Sequence, residues 1–427
     1  MNKMYIGLLL LFVPLVSSGQ RLFNDAHLKH LFQEVDVKGD TLGAVWIYCE
    51  APEYKWVGDD DEGFACVDDV ARALIVYCRE YRRSPTQDLA GRIEKLSNFI
   101  IYMAAGNGSW YNFMWPGGKI NSEHINSKAT SNFWTWRAYW ALSELQLSNL
   151  PLTDEKRKII DGLCIKTEVL IDSILADQVG EINVFDIKLS KLYDKPGADQ
   201  ISVILLALCN RYEISKRPAL LQKIKIIADN LALYVLGNEE TPPFGAILCW
   251  NYYWHAWGAS QYYALLNAYK QTRYPLYLEK ALEGLDYFYP WLQKNNYPAE
   301  MKLTKLDSKY VWTSIDFYPQ IAYGFSPMIL AATEAAALSG DKKYALLAFD
   351  IAMWYFGKNK PNKKMYNPET GICFDGVVDS WQINLNSGAE STIEALLSMQ
   401  ALEQLHTFDK EYKYFLNNIN FQTHGLH

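Results

Sequence analysis

The sequence predicts an all-α protein whose helices close into an (α/α)6 toroid, with small β-hairpins in the loops of one face. Three observations carry this. Apolar segments of helical period recur at steps of ~60–70 residues along the 427-residue chain, the signature of a repeated supersecondary unit. More charged, amphipathic segments alternate with them, as outer helices alternate with inner ones. The connections are unequal in length, long before each apolar segment and short after it.

The first 19 residues stand apart. Lys3, the apolar run "MYIGLLLLFVPLV" and the small residues "SSG" before Gln20 read as a secretory signal, too short an apolar run to span a bilayer. Residues 20–427 then form one domain, since no Pro/Ser-rich linker, charge block or low-complexity run divides them. The expected location is secreted, and periplasmic in particular. No later stretch is long and apolar enough to cross a membrane.

The six inner helices begin near Val67 ("VDDVARALIVYCREY"), Phe133 ("FWTWRAYWALSEL"), Gly197 ("GADQISVILLALCNRY"), Ala256 ("AWGASQYYALLNAY"), Ser326 ("SPMILAATEAAAL") and Gly388 ("GAESTIEALLSMQAL"). Being touched on both flanks, they are apolar almost all round. The outer helices are expected at Phe23–Val37, Asp88–Met103, Asp154–Ala176, Ala219–Leu236, Pro275–Gln293 and Asp341–Tyr355. The long loops collect on the face where the inner helices start, and long loops in a compact domain are usually functional. "GNGSWYNFMW" predicts a β-hairpin there, with an Asn-Gly turn between alternating aromatics. A helical-repeat solenoid is the alternative architecture.

Composition narrows the function. A formal net charge of −7 argues against a nucleic-acid partner. Seven cysteines show no metal-ligand spacing, and Cys49–Cys66 is the least implausible disulfide. The chain carries 14 Trp, 29 Tyr and 18 Phe, many of them in polar loops where packing alone explains them poorly.

The inner-helix starts and the loops before them gather Trp, Tyr, Asn, Asp and Glu around one expected pit. Flat rings stack on the C–H faces of sugars, and carboxylates and amides pair with their hydroxyls, so the expected substrate is a carbohydrate. Asp68 and Asp69 open the first inner helix and Glu390 the sixth; these three are the candidate catalytic carboxylates. Each has a plainer reading. The aspartates suit the positive end of a helix, and Asp68 stands four residues before Arg72. Ser387-x-x-Glu390 fits a capping box. Adjacent residues also diverge by ~100° on a helix, so Asp68 and Asp69 both face a pit only where the chain is still turning. The preceding Asp59–Glu62 run reads as a solvated loop or a cation site. Candidate substrate contacts are Trp134, Trp136, Arg137, Trp254, His255, Trp312, Asp316, Tyr318, Asp375 and Trp381, with His124 and Asp379 behind them.

The layout resembles the six-hairpin glycosidase superfamily, (α/α)6 toroids that include many secreted glycan-degrading hydrolases. Within it, "GFACVDDVARALIVY", "NGSWYNFMW" and "NSGAESTIEALLSM" resemble segments of bacterial proteins associated with glycan metabolism. The adjacent Asp68 and Asp69 are similar to the paired aspartates of bacterial endo-α-1,6-mannanases, where neighbouring carboxylates act as nucleophile and acid/base. The resemblance implies a glycoside hydrolase working through two carboxylates; the expected enzyme requires no metal or organic cofactor and is a monomer. The rival expectations are a polysaccharide lyase using His255 or a Tyr with Arg137, a sugar epimerase built on paired histidines, and a glycan-binding protein without turnover.

Overall fold

The computed structural model describes residues 21–177 and 179–421; the expected signal, residues 1–19, lies outside them. In chain order the helices are α1 Ala26–Leu31, α2 Val67–Arg83, α3 Gln87–Tyr102, α4 Phe133–Leu147, α5 Asp154–Asp177, α6 Ala198–Ser215 and α7 Pro218–Leu233. They continue as α8 Gln261–Thr272, α9 Pro275–Glu283, a π-helical turn Gly284–Phe288, α10 Tyr289–Lys294, α11 Ala322–Ser339, α12 Lys342–Ala352, α13 Ala389–Gln404 and α14 Asp409–Phe421. Six of them form a closed ring: α2 packs on α4, α4 on α6, α6 on α8, α8 on α11, α11 on α13, and α13 returns to α2. α3, α5, α7, α9 and α12 each pack on the inner helix that they follow, and α14 packs on α12.

Local chemistry sets the ends of these rods. Thr86 caps α3 by accepting the Leu89 N–H, Asp341 caps α12, and Pro218 and Pro275 open α7 and α9, where a missing N–H costs nothing. The turns from α6 to α7, α8 to α9 and α11 to α12 pass through left-handed Lys216, Arg273 and Gly340. Those short links trim one mouth of the ring. At the other mouth lie the strands. They are β1 Phe32–Val37, β2 Asp40–Val45, β3 Tyr48–Glu50, β4 Lys55–Val57, β5 Ala65–Cys66, β6 Phe113–Trp115, β7 Lys119–Asn121, β8 Glu181–Val184 and β9 Ile187–Ser190. β10 Tyr253–His255, β11 Glu300–Leu306, β12 Lys309–Asp316, β13 Gly376–Val377 and β14 Ile383–Asn384 complete them. All but the first pair sit in loops that lead into an inner helix.

Three expectations need correction. Phe23–Val37 is not an outer helix: only α1 is helical, and β1 pairs antiparallel with β2 to cover α3. "FQEVDVKGDTLGAV" alternates with period two, and Lys38-Gly39, both at positive φ, supplies a tight hairpin turn. The sixth outer position belongs instead to α14, whose Phe415 stacks on Phe349 at 4.8 Å. The second correction is the Asn-Gly hairpin. Asn107-Gly108 closes only the isolated bridge between Ala104 and Trp110, while β6 and β7 are joined through Pro116–Gly118. The third is the disulfide. All seven cysteines are free and buried, and Cys66 has another use: its sulfur accepts the Asp69 N–H as the cap of α2.

Candidate active site

The strand-bearing mouth narrows to a pit of about 340 Å³ lined by the starts of α2, α11 and α13, with Tyr48, Asn112 and Phe113 on its wall. Asp68, Asp69, Arg72, Asp375 and Glu390 all line it. Arg72 stands at its centre. Its Nη2 lies 2.6 Å from Asp69 Oδ1, 3.2 Å from Glu390 Oε2 and 3.4 Å from Asp68 Oδ2, and its Nη1 is 2.8 Å from Glu394 Oε1. One guanidinium, its side chain 3% exposed, thus gathers four carboxylates from two helices. Burial opposes its charge, and the surrounding anions outweigh that and hold it protonated.

The i,i+4 pairing of Asp68 with Arg72 is present, and both aspartates lie in the first turn of α2, but the acids do more than that. The side chain of Asp69 makes no cap: Oδ1 takes Arg72, and Oδ2 accepts the Cys66 thiol at 3.2 Å. Asp68 gives its Oδ2 to Arg137 as well as to Arg72, while its Oδ1 is buried without a partner. The two neighbours meet despite their divergence because Arg72, one turn on, reaches both. Glu390 makes no capping box either. The α13 cap is Gly388, whose N–H donates to Asp375 Oδ1 at 2.8 Å, and the Glu390 carboxylate points to Arg72.

The acids differ in their surroundings. Burial pushes Asp69 up to about 6; Arg72 pulls the other way, and Asp68 and Glu390 add to the rise. Burial likewise raises Asp375, against the Gly388 N–H and the Ser391 hydroxyl, and raises Glu394, against Arg72 and Ser326. Glu390 is the open one, its side chain 43% exposed. Arg137 bonds the hydroxyl of Tyr323, and the ring of that tyrosine lies 5.0 Å from the guanidiniums of both Arg72 and Arg137. Among the described residues no group of three or more His, Cys, Asp or Glu is placed to hold a metal.

The remaining candidates scatter. Trp134, Trp136 and Trp254 are buried packing residues. The Trp134 indole donates to the Trp110 carbonyl, that of Trp136 to Gln200, and Trp254 sits edge-on to Phe288. Trp312 stacks on Phe288 and lies tilted against Trp291, and it is not part of the pit lining. His255 is sealed, 2% exposed, 3.3 Å from Asp199 and stacked on Trp257 at 4.4 Å. Burial disfavours its charge, but the Cys249 sulfur and the Asp199 carboxylate outweigh that and raise it to about 10. His124 lies behind the wall, edge-on to Phe113. Asp316 and Trp381 are exposed on the rim, and Tyr318 faces Asp379 beside them. Asp59 folds its own loop by accepting the N–H groups of Asp61 and Glu62. Sequence reasoning missed Glu394, Tyr323 and Asn112. The available signal was the i,i+4 spacing of Glu390 and Glu394, which puts two acids on one face of an otherwise apolar helix.

No family model matches the chain, and no curated protein sequence does. Solved structures do. Cellobiose 2-epimerase from Bacillus thermoamylovorans B4167 superposes with a TM-score of 0.62 at 13% identity, covering 88% of this chain and 95% of that one. A sugar epimerase from a ruminal bacterium gives 0.59 at 13%, with the same coverage. The GH76 alpha-mannanase of Bacteroides thetaiotaomicron gives 0.51 at 12%, covering 81% and 88%. The chain is a six-hairpin (α/α)6 toroid. At these identities the toroids share a fold, and what this one does has to be argued from its own pit.

Proposed function

We propose that this toroid is a glycoside hydrolase, with Asp69 as general acid and Glu390 as nucleophile. The observation that carries this is the shared grip of Arg72 Nη2. It touches Asp69 Oδ1 and Glu390 Oε2 at 2.6 and 3.2 Å. Those contacts laid end to end keep the two oxygens within ~6 Å, nearer the separation of retaining than of inverting pairs. Asp69, held protonated up to about pH 6, gives its proton to the glycosidic oxygen. Glu390 attacks the anomeric carbon as that bond breaks, forming an ester. Water, deprotonated by the Asp69 carboxylate, then cleaves the ester; one glycosidic bond and one water become two hydroxyls. Asp68 and Arg137 form the floor that fixes Arg72.

The rivals fit less well. A lyase needs a free cation for a uronate, and both Nη atoms of Arg137 are already engaged, with Asp68 and Tyr323. The pit's excess of acids would also repel such a substrate. An epimerase is the second reading, favoured by the better superposition on sugar epimerases. Against it, no histidine among the described residues lines the pit, and His255 is enclosed. The signal-like N-terminus supports an exported enzyme, which N-terminal sequencing of the mature protein would check. The functional test is release of reducing ends from a panel of plant, host and microbial glycans. The parent is expected to release them, and Asp69→Asn to lose ~10²–10⁴-fold in rate while unfolding at the parent's midpoint. Equal turnover in parent and variant would refute the assignment.

A further inference from the structure

We propose that the hairpin from Gly376 to Asn384 is a stacking platform extending the pit, so that the site takes a chain of several neutral sugar units rather than a monosaccharide. This rests on the reading of the pit as a glycan site and adds the class of substrate. Trp381 at the hairpin tip is 75% exposed, so it contributes little to the core. Its backbone is nonetheless pinned. The N–H groups of Trp381 and Gln382 both donate to Asp379 Oδ1 at 2.9 Å, and Val377 exchanges backbone bonds with Gln320 at 2.8 and 3.0 Å. A fixed strand pair presenting a free indole loses little entropy when a ring settles on it.

The position gives the occupant. The hairpin leaves the pit at Asp375 and returns to it at Gly388, both of which line the cavity. At ~3.3 Å per residue its tip stands within ~20 Å of Asp375 on the pit wall, a reach for sugars linked to the one being cleaved. Phe317 and Leu385, 39% and 51% exposed, add apolar surface at its base. An indole face suits the C–H face of a pyranose. Asp316 and Asp379 on the same rim disfavour an anionic chain.

The test is equilibrium binding of a mannan-derived hexasaccharide and disaccharide, and of cellohexaose and cellobiose, in the Glu390→Gln background so that no probe is consumed. In at least one series the longer probe should bind ~10-fold tighter, Trp381→Ala should remove that gap, and Trp381→Phe should keep most of it. No length preference in either series, or a preference that survives Trp381→Ala, overturns the platform. The two claims fail separately. Turnover lost in Asp69→Asn without a length preference refutes the platform alone, and a length preference without turnover refutes hydrolysis alone.

Discussion

Asp68 and Asp69 are consecutive, yet Arg72 contacts both, and burial pushes the pKa of Asp69 up to about 6. A general acid acts only while protonated, so kcat/KM should fall as pH rises through about 6, and a pH–rate profile of the parent checks that limb. Arg72 makes a second prediction. Its removal in Arg72→Met strands buried carboxylates without a counter-charge and should cost ~3–5 kcal/mol in denaturant unfolding at neutral pH. Because burial raises the pKa of Asp69 and of Glu394, they protonate early on acidification, and the deficit should narrow as pH falls. The acids were legible in the sequence, since carboxylates at the starts of apolar helices stand out. Arg72 was legible only as an ordinary i,i+4 partner, because its contacts to Glu390 and Glu394 span more than three hundred residues. The tryptophans were not legible. Trp134 and Trp254 stand at or just before inner-helix starts, as a sugar-stacking ring would, but an indole that finds a backbone carbonyl or another ring packs there equally well.

At the scale of elements, the approach of α13 to the N-terminal strands fixes where Glu390 stands. A Cβ on Gly388 would lie 2.4 Å from the Ile47 carbonyl oxygen, a backbone atom that cannot swing aside. Gly388→Ala should therefore displace the start of α13, costing ~1–3 kcal/mol and lowering turnover more than a surface substitution would. Paired unfolding and rate measurements would show both losses; an unchanged rate would mean that Glu390 is not held by this contact. The inner helices were readable because their apolar residues run nearly all round the rod. The first outer position was misread because Phe32–Val37 has apolar residues enough for either period, and the Lys38-Gly39 turn decides for a hairpin.

For the whole molecule, ring closure brings α2 and α13, at opposite ends of the chain, into contact, and every pit residue depends on it. The covering α14 belongs to that closure through Phe415, 2% exposed, against Phe349 and Phe356. Phe415→Ala should cost ~3–5 kcal/mol of unfolding free energy; a loss below ~1 kcal/mol would mean that α14 is not part of the cooperative ring. The toroid was legible because its repeat is long and regular, whereas the identity of the sixth outer helix was set by the return of the chain to its start. The most direct test of the central claim is mass spectrometry of products formed in heavy-oxygen water. Hydrolysis through Asp69 and Glu390 predicts one heavy oxygen at each new reducing end in the parent, and none above background in Asp69→Asn. Products that are unsaturated, or epimers formed without chain cleavage, would contradict it.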